Sequence, residues 1–143
     1  MSIIAPVEHD DLVAYFDDEI GISLITYGGT ITADTIGRVY RWVEALLQQI
    51  DPASTRGVIY DFRDVREFHP TYLAAVQRQS KRMERDHDNS GHAVALIVDT
   101  LYQETMVKMS AQLGAKSSRP RVHLVNSMEA ALTFIDDWHS ARV

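Results

Sequence analysis

The chain is 143 residues long, 45% hydrophobic and 24% charged, the make-up of a single globular domain over residues 1–143 with enough apolar surface for a core. It has no cysteine, which excludes a disulfide framework, a thiolate nucleophile and Cys-ligated zinc and points to a reducing cytoplasm. A net charge of −6 speaks against general affinity for nucleic acid or anionic lipid, because both bind largely by having their phosphates neutralised by Lys and Arg.

The opening "MSIIAPVEHDD" has no basic segment before a long apolar run, and no stretch approaches the roughly 18 apolar residues of a membrane helix, so neither export nor a membrane span is expected. "LVAYF" (12–16) and "ISLITY" (22–27), joined by the polar "DDEIG", read as a β-hairpin whose second strand is broken by Gly28 and Gly29. Thr32 can cap a helix with Asp34 in its first turn. Ile36, Val39, Tyr40, Val43, Leu46, Leu47 and Ile50 then form one apolar stripe that stops before Pro52. "GVIYDF" (57–62), "HAVALIVD" (92–99) and "VHLV" (122–125) have the near-continuous apolar character of strands buried on both faces, and each is followed by a helical pattern. Thr100 and Gln103 have capping-box spacing ahead of a stripe of Tyr102, Met106, Met109 and Leu113. Ser127 can cap a last helix that buries Met128, Ala131, Leu132, Ile135 and Trp138. The order ββαβαβαβα predicts an α/β fold: a mostly parallel sheet of four to five strands with an antiparallel N-terminal edge and packed helices.

In open α/β sheets ligands gather beyond the carboxyl ends of the strands, which singles out Asp61, Arg63, Asp64, His69, Asp99 and Asn126. Asp61 and Asp99 close successive strands, so they read either as a carboxylate pair for acid–base chemistry or, more plainly, as turn and cap acceptors and partners of Arg63. His69 has no Ser or Cys at nucleophile-elbow spacing and reads as a cap or surface residue. Asp86, His87, Asp88, Asn89 and His92 are metal-capable types without metal-site spacing, so the loop reads as a solvated connection and no metal is assigned. No glycine-rich phosphate loop occurs, and no cofactor is implied.

Arg78, Lys81, Arg82 and Arg85 share one helical face opposite Tyr72, Leu73, Val76 and Met83, either as a solvated outer surface or as a site for an anionic partner. Trp42 lies about 90° from the centre of its helix's apolar stripe and is expected to be half exposed, as aromatics at protein contacts often are. With the free edge of the opening hairpin, it motivates an expected homodimer. Tyr40, Phe62, Tyr72, Met106 and Met109 form a candidate apolar pocket for a small ligand or lipid, although such positions are more commonly core.

The element order, and above all "GVIYDFRDVREFHPTYLAAV", resembles the STAS family, the fold of bacterial anti-sigma factor antagonists and of sulfate-transporter cytoplasmic domains. It looks most like the divergent SpoIIAA-like group, which shares its shape with CRAL-TRIO lipid-binding domains. In the family a turn reading roughly F-x-D-S-S-G carries a phosphorylatable serine. Aligned without gaps from Asp61, with Val65 on the family's apolar position, the serine falls on Pro70, its neighbours on His69 and Thr71, and the glycine on Tyr72. The resemblance therefore implies a non-enzymatic regulatory or protein-interaction module that lacks the serine switch. Pro70 suits the first turn of a helix, and Thr71, one residue on, is rotated by about 100° from the switch direction. The alternatives are a small-molecule or lipid-binding domain and, third, an enzyme using Asp61 and Asp99.

Overall fold

The computed structural model describes residues 5–86, 91–111 and 121–141. Strands β1 (Val7–His9), β2 (Leu12–Asp17) and β3 (Ile22–Ile31) open the chain, followed by α1 (Ala33–Gln49), a 3-10 turn (Pro52–Ser54) and β4 (Gly57–Phe68). Then α2 (Tyr72–Asp86), β5 (Ala93–Ile97), α3 (Leu101–Ala111), β6 (Val122–Val125) and α4 (Met128–Ser140) complete the α/β order. The strands lie in one six-stranded sheet in sequential order, antiparallel from β1 to β3 and parallel from β3 to β6. The sheet therefore has one strand more than the sequence pattern gave. Val7–His9 is too short to display an alternation, and it exists because Val7, Glu8 and His9 pair with Ala14, Val13 and Leu12.

The helices divide between the two faces of the sheet. On one face α1, α2 and α3 cover a core that includes Leu12, Ile25, Tyr27, Phe62 and Leu96; on the other α4 covers Ile22, Ile59, Ala95 and Ile97 with Ala131, Ile135 and Trp138. The period-two alternation of β4 follows from this: Val58, Tyr60 and Phe62 face the three helices, while Ile59 and Asp61 face the α4 side. Thr32 caps α1 by a reciprocal pair with Thr35, and Ser127 accepts from the Ala130 N–H at the start of α4.

Two strands run further than their sequences suggest. Gly28 and Gly29 do not end β3. The ladder with β4 continues across them through register shifts at Thr26/Gly28 and Gly29/Thr30, with Gly29 at φ 64°. Likewise β4 passes Phe62 and pairs Asp64, Val65, Glu67 and Phe68 with β3, burying Val65 and Phe68 within a polar run that hides the strand. β5 stops earlier, its Ile97 opposite Asp61. Beyond that point β3 and β4 project as a two-stranded parallel ribbon.

Candidate functional site

The projecting ribbon leaves one edge of β4 without a strand, and the start of α3 covers it. Gln103, 2% exposed, donates from Nε2 to the carbonyls of Arg63 and Val65 at 3.1 Å each. Its Oε1 accepts from the N–H groups of Asp99 (2.9 Å) and Thr100 (3.3 Å), while its own N–H donates to the Thr100 hydroxyl. One residue earlier, the Tyr102 hydroxyl accepts from the Phe68 N–H at 2.9 Å. Two side chains thus take the place of β5, which satisfies backbone groups that would otherwise be orphaned. The capping-box spacing announced half of Gln103's role; nothing local announced the half that reaches β4.

Asp61 is 7% exposed, and its carboxylate accepts from Arg63 Nε (3.0 Å), Arg63 Nη2 (2.8 Å) and the Arg63 backbone N–H (3.0 Å). The hydrogen bonds and charge of Asp61 outweigh burial and raise the Arg63 guanidinium's pKa, with Asp99 and Asp64 adding to it. Asp61 therefore lies inside β4 rather than at its end, as half of a bidentate ion pair. Asp64 and Asp99 are exposed, and Asn126 is exposed at the end of β6.

The β4–α2 turn is closed by the Tyr72 N–H donating to the His69 carbonyl at 2.9 Å, with Pro70 and Thr71 between them. Pro70 therefore occupies the second position of a tight turn, where a fixed φ is favoured, and not the first turn of the helix. The Thr71 hydroxyl accepts from the Ala33 N–H at the start of α1 (3.2 Å) and lies 2.9 Å from His69 Nδ1. The His69 N–H donates to the Ile31 carbonyl, so the whole turn is tied to the end of β3 and the start of α1. Exposed beside this end of the ribbon are Leu101 (77%) and Tyr102 (46%).

On the expected interaction surface, Arg78, Lys81 and Arg85 are exposed on α2, but Arg82 turns inward to Glu44 on α1, Nη2 to Oε1 at 2.5 Å. Trp42 is buried at 6% exposure and donates from Nε1 to the Ala5 carbonyl at 3.0 Å, which corrects the half-exposed reading. The N-terminal segment crosses α1 there and widens the helix's buried face beyond its sequence stripe. One ground for a homodimer goes with it.

Between α1, α2, α3 and the sheet lies a chamber of about 310 Å³. Tyr40, Phe62 and Tyr72 line it as expected, but Met106 and Met109 do not. The α3 stripe is rotated from its predicted position: Gln103, Val107 and Ser110 are buried, while Tyr102 and Met109 are exposed, and Leu113 lies outside the described residues. The bond of Gln103 to β4 sets that rotation. Tyr72 and Ser110 hydroxyls pair at 2.8 Å, as do those of Tyr40 and Ser80 at 3.0 Å. Burial pushes the phenols of Tyr27 and Tyr60 well up and that of Tyr72 to about 12, keeping all three protonated. Lys81, His92 and Arg121 also line the chamber, the last two at the starts of β5 and β6. It thus has its basic groups at the amino-terminal end of the parallel strands, opposite the strand ends singled out in the sequence.

Among the described residues no cluster of three His, Cys, Asp or Glu could hold a metal, and no helix is long and apolar enough to cross a membrane. Positions 87–90 of the polar loop lie outside them.

No protein-family model matches the sequence, and no curated protein does. Solved structures do match. An anti-sigma factor antagonist from Mycobacterium paratuberculosis superposes with a TM-score of 0.60 at 13% identity, over 91% of this chain and 98% of the other. The fold is SpoIIAA-like. The anti-sigma factor antagonist SpoIIAA in its unphosphorylated form gives a TM-score of 0.56 at 10% identity, over 88% of this chain and 96% of that one. An uncharacterised protein from Shewanella loihica with a SpoIIAA-like fold gives 0.55 at 13% identity, over 92% and 98%.

Proposed function

We propose that this domain is a non-enzymatic regulatory module of STAS type that binds a protein partner, without a phosphoserine switch, in the cytoplasm. The observation that carries the reading is the β4–α2 turn, where the resemblance's serine position is Pro70 and the adjacent Thr71 hydroxyl is engaged by the Ala33 N–H and His69. Two of the solved structures sharing the fold are anti-sigma factor antagonists, which favours a protein partner. The bidentate hold of Arg63 on Asp61 counts against the carboxylate-pair enzyme, since both oxygens of the would-be base are already hydrogen-bonded. Partner docking falls at the ribbon end, on His69, Thr71, Leu101 and Tyr102, with the basic face of Arg78 and Arg85 as the competing surface.

The test has two arms. Incubated with ATP and lysate of the source cell, the unmodified protein takes up no phosphate that Thr71→Ala abolishes, whereas Pro70→Ser becomes a substrate. In affinity capture, Leu101→Glu loses a partner that Arg78→Glu/Arg85→Glu retains. Phosphate on Thr71 of the unmodified protein, or capture insensitive to Leu101→Glu, overturns the proposal.

A further inference from the structure

The chamber beneath α1 and α2 is the feature that partner docking at the ribbon end leaves unused. Its volume of about 310 Å³ falls at the lower end of the range of small-molecule sites, and its walls are mostly aliphatic and aromatic with a few placed polar groups. A chamber of this size makes the dispersion contacts of a packed core only when something fills it, so an occupant stabilises the fold. Among the described residues, the charged side chains that line it are all basic, Lys81, His92 and Arg121, with no Asp or Glu beside them. Arg121 and His92 are held together, Nη1 of Arg121 donating to the His92 carbonyl at 3.1 Å. Lys81 reaches the lining from the exposed face of α2.

We propose that the chamber binds a small amphipathic acid, its apolar body among Val58, Val76 and Leu96 and its anionic head at Lys81, His92 and Arg121. The arrangement separates the two kinds of contact as an amphiphile separates its own ends. The Arg121 charge reaches the buried Tyr60 phenol, opposing the rise that burial causes there, which places the cationic end in electrostatic reach of the chamber's interior. A double-chain lipid is too large for this volume, so the class is a single-chain or aryl acid. Binding here is separate from docking at the ribbon end, and its failure leaves the partner-capture result untouched.

Titration calorimetry of the full chain with decanoate and with 1-decanol, both below their aggregation thresholds, tests the assignment. Decanoate binds one to one and at least tenfold tighter than the alcohol. Lys81→Gln/Arg121→Gln removes that advantage while leaving decanol binding unchanged, and Val76→Phe, which fills the chamber, weakens both ligands at least fivefold. Because Arg121 also bridges to His92, Lys81→Gln alone serves as the second variant; it lowers decanoate affinity severalfold on a helix surface where folding is not at stake. No decanoate binding at millimolar concentration, equal affinity for acid and alcohol, or binding indifferent to Val76→Phe overturns the proposal.

Discussion

Gln103 concentrates the logic of this molecule in one side chain. Its amide carbonyl caps α3 and its amide nitrogen supplies two hydrogen bonds to a strand edge, all at 2% exposure. Gln103→Leu fills a similar volume but leaves the Arg63 and Val65 carbonyls without their side-chain donor and removes the acceptor that caps the Asp99 and Thr100 N–H groups. We expect a loss of about 3 kcal/mol, read from urea denaturation, at an unchanged m-value, since several groups each lose of order 1 kcal/mol. A change below about 1 kcal/mol would mean that water replaces the amide. Half of this was legible, because Thr100-x-x-Gln103 announces a cap; the other half joins positions 38 and 40 residues apart, which no local pattern carries. Trp42 fails for the same reason. Its angle from the helix stripe is correctly read, but the Ala5 carbonyl that covers it comes from 37 residues earlier.

At the scale of elements, the helices and the strand order were legible wherever one face is apolar at a regular period, as along Ile36 to Leu46 or Met128 to Trp138. The ribbon was not. Its buried residues, Val65 and Phe68, are three apart, because register shifts against β3 break the period-two rule, and the run between them is charged. The candidate site inherited that error: taking Phe62 for the strand end made Asp61 a terminal carboxylate, when it sits mid-strand under Arg63. Two glycines test how the sheet is built. A Cβ on Gly57 would stand 2.3 Å from the Ala93 carbonyl oxygen, a backbone atom of the paired strand, so Gly57→Ala must push β5 away from β4. At Gly29 a Cβ meets nothing within 4 Å, and only its φ of 64° opposes a side chain. Gly29→Ala should cost about 1 kcal/mol and Gly57→Ala about 3 kcal/mol or more, compared by urea midpoint. The reverse order would show that the β4–β5 spacing yields more easily than the bulge.

For the whole molecule the chamber beneath α1 and α2 also gathers tyrosines, and this sets a limit to stability in alkali. Tyr27, Tyr60 and Tyr72 have folded pKa values raised chiefly by burial, Tyr72 to about 12, against an ordinary value near 10. The folded state therefore holds protons above pH 10 that the unfolded chain releases. Stability is complete below the unfolded pKa and falls as the pH rises, by about 1.4 kcal/mol per pH unit for each group until its folded pKa is reached. The urea midpoint should be unaffected by these groups between pH 7 and 9 and drop steeply from about pH 10 to 12. Phenolate absorbance should show Tyr27, Tyr60 and Tyr72 ionising only together with unfolding. Tyr27→Phe and Tyr60→Phe each remove one proton from the linkage, so each flattens the alkaline slope, and the double variant does so additively. A slope untouched by both substitutions would assign the alkaline loss to lysine ion pairs such as Lys108 with Glu104 instead. A decanoate-loaded protein would then be the sharper probe of how far the chamber supports the fold: a ligand bound only by the native state raises the midpoint at pH 8 and at pH 11, at each by an amount that grows as the logarithm of ligand concentration over the Kd at that pH.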